Sequence, residues 1–167
     1  MPLAQYPLIL AGQDYTASLI QSFSPWTAWK AADTPRASDV TIAADPDLSI
    51  PTLANATYVV DGYLNFEGGT AGSSDLQWGL TSNGTLRYKV SGAGTGGTTV
   101  IGATDQGSGT VILGTNGAGN LRGADFHGML IAGSSAGSLT LNWAQNTSNG
   151  TPTIMHANSW MSVRRVA

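Results

Sequence analysis

The sequence predicts an all-β protein, a two-sheet sandwich or jelly roll. Three observations carry that prediction. From Ala56 onward apolar and polar side chains alternate, the period that puts successive residues on opposite faces of a strand. The 22 glycines and 7 prolines among 167 residues supply turns and penalise long helices. About eight alternating segments follow one another with turn clusters between them, as in a sandwich, and no internal repeat suggests a solenoid or propeller.

Residues 1–55 read as an extended N-terminal arm. Tyr15, Leu19 and Phe23 stand at i, i+4 and i+8, and Asp14 can cap the first turn, so one short amphipathic helix is expected over about 14–23. Pro25 stops it. Pro35, Pro46 and Pro51 then punctuate an extended stretch whose strand-like pieces are Val40–Ala43 and Leu48–Ile50. Trp26 and Trp29 are large apolar side chains that an arm could bury only against a partner.

Residues 56–167 read as the jelly-roll domain. In Tyr58–Phe66, Tyr58, Val60, Leu64 and Phe66 share a face with Gly62, and Tyr63 is the one large residue on the other. Asp75–Leu80 and Thr85–Val90 alternate about Leu76, Trp78, Leu80 and Leu86, Tyr88, Val90, with Asn83-Gly84 between them as a hairpin signal. Ser91–Gly97 reads as a loop. Weaker strands are expected near Thr98–Ala103 and Thr110–Leu113. Asp125–Ala132 sets Phe126, Gly128 and Leu130 against His127, Met129 and Ile131, which predicts a contact on each face. Ser138–Gln145 places Leu139, Leu141 and Trp143 on one side, and Trp160–Val166 closes the chain.

Composition narrows the function. Charged residues make up 10% of the chain, where an average domain has about 25%. The formal net charge is −3 and the basic residues are scattered apart from Arg164-Arg165, so no stripe can track a phosphate backbone and no nucleic-acid partner is expected. No apolar run is long enough to span a bilayer, and the N-terminus lacks the features of a signal peptide, so neither membrane nor export is expected. The absence of cysteine excludes disulfides and thiolate chemistry.

Residues that could carry chemistry have plainer readings. His127 and His156 are the only histidines, 29 residues apart in the chain. Three copies of His127 meeting on an axis could hold a metal or anion, but a locally bonded strand histidine is the better reading. Asp45 and Asp47, near Asp39, could contribute to a calcium loop, although an Asp-Pro turn fits better. Glu67, the single glutamate, with Asp61 or Asp75 is a poor basis for a glycosidase. The loop Gly92–Gly97 lacks the lysine and following helix of a phosphate cradle. Trp78 and Tyr88 could stack on a glycan near it, with core packing the stronger reading. No catalytic residue, metal site or cofactor is expected.

The stretches 133–148 (GSSAGSLTLNWAQNTS) and 158–166 (NSWMSVRRV) resemble the C-terminal signature of small virion structural proteins of actinobacterial tailed phages. Ala17–Gln21, Ala31–Arg36 and Ala54–Tyr58 are similar to the N-terminal pattern of that group. The resemblance implies a TNF/C1q-like jelly-roll trimer on the virion, assembled in the host cytoplasm. Such a trimer would serve as a capsid decoration protein, a minor capsid or head-spike protein that binds the major capsid protein or another virion protein and stabilises the shell. The alternative is a minor tail or fibre-tip protein that binds a host-surface glycan. On this reading Tyr15, Leu19, Phe23, Trp26 and Trp29 anchor the arm, and His127, Met129, Ile131, Trp143 and Trp160 make trimer or core strand contacts.

Overall fold

The computed structural model describes residues 11, 12, 14, 16, 17, 19, 24–69, 75–95, 100–106 and 109–167. Its elements are twelve strands: β1 (Trp26–Trp29), β2 (Thr34–Arg36), β3 (Ala43–Thr52), β4 (Thr57–Glu67), β5 (Leu76–Thr81), β6 (Thr85–Ala93), β7 (Val100–Gln106), β8 (Val111–Leu113), β9 (Arg122–Ile131), β10 (Gly137–Gln145), β11 (Thr153–Met155) and β12 (Trp160–Arg165). They form two antiparallel sheets. The larger has eight strands, with the order β1-β12-β4-β9-β6-β7 and with β11 joining β4 to β2; the smaller runs β3-β10-β5-β8.

The layers meet face to face through one core. Alternation explains it: Tyr58, Val60, Leu64 and Phe66 of β4, with Phe126 and Leu130 of β9, are buried against Leu76, Trp78 and Leu80 of β5 and Leu139, Leu141 and Trp143 of β10. At the centre, Trp78 packs on Phe126 with ring centroids 5.5 Å apart and on Tyr88 at 5.9 Å, bridging the sheets. Room for Phe126 comes from its cross-strand partner Gly62, where a Cβ would lie 2.1 Å from Phe126 Cζ. Gly62→Ala is therefore expected to displace the ring and cost about 1–3 kcal/mol, read as a lowered midpoint of thermal unfolding.

Three expectations need correction. The segment read as an arm contributes β1, β2 and β3 to the chain's own sandwich, because β1 pairs with β12, β2 with β11 and β3 with β10. The prolines misled: Pro35 and Pro51 sit in edge strands, where a missing N–H is tolerated, and Pro46 lies where β3 bulges. Between Ala44 and Ser49, four residues of β3 stand against Leu141 alone. Asn83-Gly84 does not close a hairpin. It carries the chain from β5 in one sheet to β6 in the other, with Gly84 against the backbone of Ile131 and Ala132. Finally, Ser91–Ala93 continue β6 instead of starting a loop.

The helix expected over about 14–23 lies largely outside the described residues, Tyr15 and Phe23 included. No helix is among the described elements; of the described residues in that stretch Ala17 and Leu19 are helical, and Thr16, not Asp14, accepts the Leu19 amide through its hydroxyl at 3.2 Å. No described helix is long and apolar enough to cross a membrane.

Candidate subunit interface on the eight-stranded sheet

The outward faces of the two sheets differ in chemistry. On the four-stranded sheet the outward positions are mostly polar, with Ile112 of β8 an apolar exception opposite Gln77, and several satisfy one another: Ser49 and Thr140 hydroxyls lie 2.8 Å apart, and Asn142 Nδ2 donates to Thr81 Oγ1 at 2.8 Å. That surface is suited to water.

The eight-stranded sheet carries large apolar groups outward. Directly opposed residues of antiparallel strands share a face, so the register sets the rows. Trp29, Trp160, Tyr63 and Asp125 form one row across β1, β12, β4 and β9. Thr27, Ser162, Asp61, His127 and Lys89 form the next, and Arg164, Val59, Met129 and Arg87 the third. Ile131 lies beyond, between Thr57 and Thr85. Trp29 is 60% exposed, Ile131 55%, Met129 48% and Trp160 37%. Two apolar islands thus flank a polar row in which His127 Nδ1 meets Asp61 Oδ1. A shallow depression of about 370 Å³ opens among Arg87, His127, Gly128, Met129 and Ile131.

The other residues singled out in the sequence divide clearly. Trp143 is a core residue, fully buried, with Nε1 donating to Asp45 Oδ2 at 2.9 Å. Trp26 shares the inner side of Val163 but lies on an edge strand and remains 40% exposed. Leu19 is half-buried. Trp78 and Tyr88 are buried, and burial pushes the Tyr88 phenol up from its ordinary value. Asp75 is buried and accepts from the Thr115 amide at 3.0 Å, a structural role.

Sequence reasoning missed two polar clusters because their members are far apart in the chain. Asp45, preferred in the sequence as the start of an Asp-Pro turn over a calcium ligand, accepts the amides of Asp47 and Leu48 as such a turn does, and with Asp47 it also grips the fully buried Lys30: Nζ lies 3.0 Å from Asp45 Oδ1 and 3.0 Å from Asp47 Oδ2. Beside them the Arg36 guanidinium lies 4.2 Å from the ring centroid of Trp143 and donates to Ala44 O at 2.9 Å, while burial lowers its proton affinity. In the second cluster His156 Nδ1 lies 3.2 Å from Asp33 and Nε2 3.4 Å from Glu67. No group of three or more metal-ligating side chains occurs among the described residues.

Asp33 also accepts the Ala157 amide at 2.8 Å, which holds its carboxyl below the usual range, with the nearby His156 adding to the effect. A depressed folded value means that the stabilisation exists above the ordinary carboxylate range and disappears as pH falls through the lowered one. The stability difference between the native chain and Asp33→Asn is accordingly expected at neutral pH and absent in strong acid, as measured by denaturant titrations across pH.

No protein-family model matches the chain, and no curated protein sequence does. Among solved structures, that of infectious bursal disease virus Gx strain is similar at 12% identity and TM-score 0.28, and that of the Gt strain at 13% and 0.21. Each similarity covers 86% of this chain, which spans only 37% and 38% of those longer chains.

Proposed function

We propose that this chain is a non-enzymatic structural protein of a virion, a jelly-roll homotrimer whose eight-stranded sheet faces its sister copies and which decorates and stabilises a capsid shell. The observation that carries this reading is the contrast between the two outward sheet faces. One is mostly hydroxyl and amide; the other presents Trp29 beside Trp160 at one end and Met129 and Ile131 at the other, all on paired strands. Large exposed apolar side chains in two patches on either side of the Asp61–His127 row mark an interaction site.

The wiring supports the jelly roll. Setting aside β2, β6, β7 and β11 leaves eight strands in the orders β1-β12-β4-β9 and β3-β10-β5-β8. Numbered afresh along the chain, these are 1-8-3-6 and 2-7-4-5, the alternation between sheets of two wrapped Greek keys. The similarity of the terminal segments to actinobacterial phage virion proteins points to the trimer and to the particle. The segment before β1, with Tyr15, Leu19 and Phe23, then serves as the tether to the major capsid protein or another virion protein.

Removing residues 1–24 tests the assignment, since the deletion stops short of Trp26 and leaves every described strand in place. The truncated protein is expected to assemble as before and to lose its place on the particle. The copy number on stained gels of purified particles is expected to be high, as for a shell component. A few copies per particle, together with glycan binding, would move the protein to a fibre tip.

A further inference from the structure

We propose that Lys30 and Asp45 join covalently, the Lys30 Nζ condensing with the Asp45 side-chain carboxyl to an amide with loss of one water. The inference is independent of the virion reading. Both side chains are completely buried, and Nζ is almost equidistant from the two Asp45 oxygens, at 3.0 Å and 3.1 Å. That equidistance puts Nζ on the plane bisecting the carboxyl group, about 3–3.5 Å from Cγ, the separation of a near-attack arrangement. Strand pairing and packing fix both residues: Lys30 continues the β1–β12 ladder through bonds between its amide and Ser159 O and between its carbonyl and the Asn158 amide, and Asp45 sits in the bulge of β3.

The surroundings supply what the condensation needs. Asp45 Oδ1 accepts the amides of Asp47 at 3.0 Å and Leu48 at 3.2 Å, a pair of fixed donors where negative charge develops in a tetrahedral intermediate. Oδ2, the oxygen that leaves, is held by Trp143 Nε1. Asp47 Oδ2 lies 3.0 Å from Nζ, and the Asp47 side chain, 39% exposed, opens the site toward solvent.

The step balances without a cofactor. One proton passes from the Lys30 ammonium to Asp45 Oδ2, leaving an amine facing a carboxylic acid. Nζ then attacks Cγ, and the electron pair of the C=O bond moves to Oδ1. The Asp47 carboxylate takes a proton from Nζ and returns it to Oδ2; the C–Oδ2 bond breaks and water departs as the carbonyl re-forms on Oδ1. No atom changes oxidation state. In the product the amide oxygen keeps both backbone donors, and Thr34 Oγ1, now 2.8 Å from Nζ, remains beside the new N–H. Both joined side chains are completely buried, which disfavours return to the ion pair. The link follows directly after β1, a four-residue edge strand, so tension on the N-terminal segment passes into β3 and does not peel β1 from β12.

The mass of the purified full-length chain, measured after denaturation, decides the matter. It is expected to be one water below the sequence mass, with fragment spectra joining the peptide that carries Lys30 to the one that carries Asp45. Lys30→Met is expected to restore the full mass, and Asp47→Asn to slow or abolish the loss. A native chain of full mass overturns the proposal, as does a missing water that maps elsewhere, such as a succinimide at Asp61-Gly62, or one that persists in Lys30→Met.

Discussion

On the proposed trimer, Ile131→Glu is expected to turn the assembly into single chains. Ile131 and Met129 form the apolar end of the exposed face of β9, next to the depression lined by Arg87 and His127. In a closed trimer each interface repeats three times, so one substitution inserts three unpaired carboxylates into surfaces that exclude water. Each is expected to cost about 3–5 kcal/mol, the scale of an uncompensated buried charge, unless the Arg87 guanidinium turns toward it. Sedimentation velocity of the variant is expected to show one-chain particles that retain the β circular-dichroism signature. Thr140→Glu, on the polar face of the other sheet, serves as the control and is expected to leave assembly unchanged.

Trp143→Ala is expected to destabilise each subunit by about 3–5 kcal/mol, the upper range for large-to-small core substitutions. Trp143 is fully buried and opposed across β10 and β5 by Trp78, and it is the donor that holds Asp45 Oδ2. Truncation removes the ring, leaves a cavity, strips the Arg36 guanidinium of its stacking surface and takes away the indole donor beside Asp45. Trp143→Phe keeps most of the packing and removes the N–H alone, so about 1–3 kcal/mol is expected. Chemical denaturation midpoints of the two variants, compared with the native chain, separate the packing contribution from the hydrogen bond.

The sandwich from Ala56 onward was legible because alternation is a local signal. The inner residues of β4, β5, β9 and β10 are the buried ones, and the outward positions of β9 and Tyr63 on β4 fall where their period puts them. Of the first fifty residues only Leu48–Ile50, inside β3, was legible in this way. β1 and β2 are three or four residues long, too short for a period to show, and Pro46 lies in a bulge that breaks the alternation of β3. Asn83-Gly84 has the composition of a hairpin turn, yet only tertiary packing decides whether the strands it joins lie in one sheet or in two.

The site was legible in part. His127, Met129, Ile131 and Trp160 lie on one exposed face as their patterning allowed, and Trp143 belongs to the core. The pairing of Trp29 with Trp160 joins residues from opposite ends of the chain, which no local pattern encodes. The same holds for Lys30 with Asp45 and Asp47, and for His156 between Asp33 and Glu67. A single buried lysine in so sparsely charged a chain was the available hint, but burial itself is not written in the sequence.

The central claim is that the outward apolar residues of the eight-stranded sheet are covered by two further copies of the same chain. Light scattering of the purified native protein, coupled to size exclusion and run at dilute and concentrated loads, tests it most directly. The predicted result is a particle with the mass of three chains at both loads. A particle with the mass of one chain, with Trp29 and Trp160 open to solvent, would contradict it.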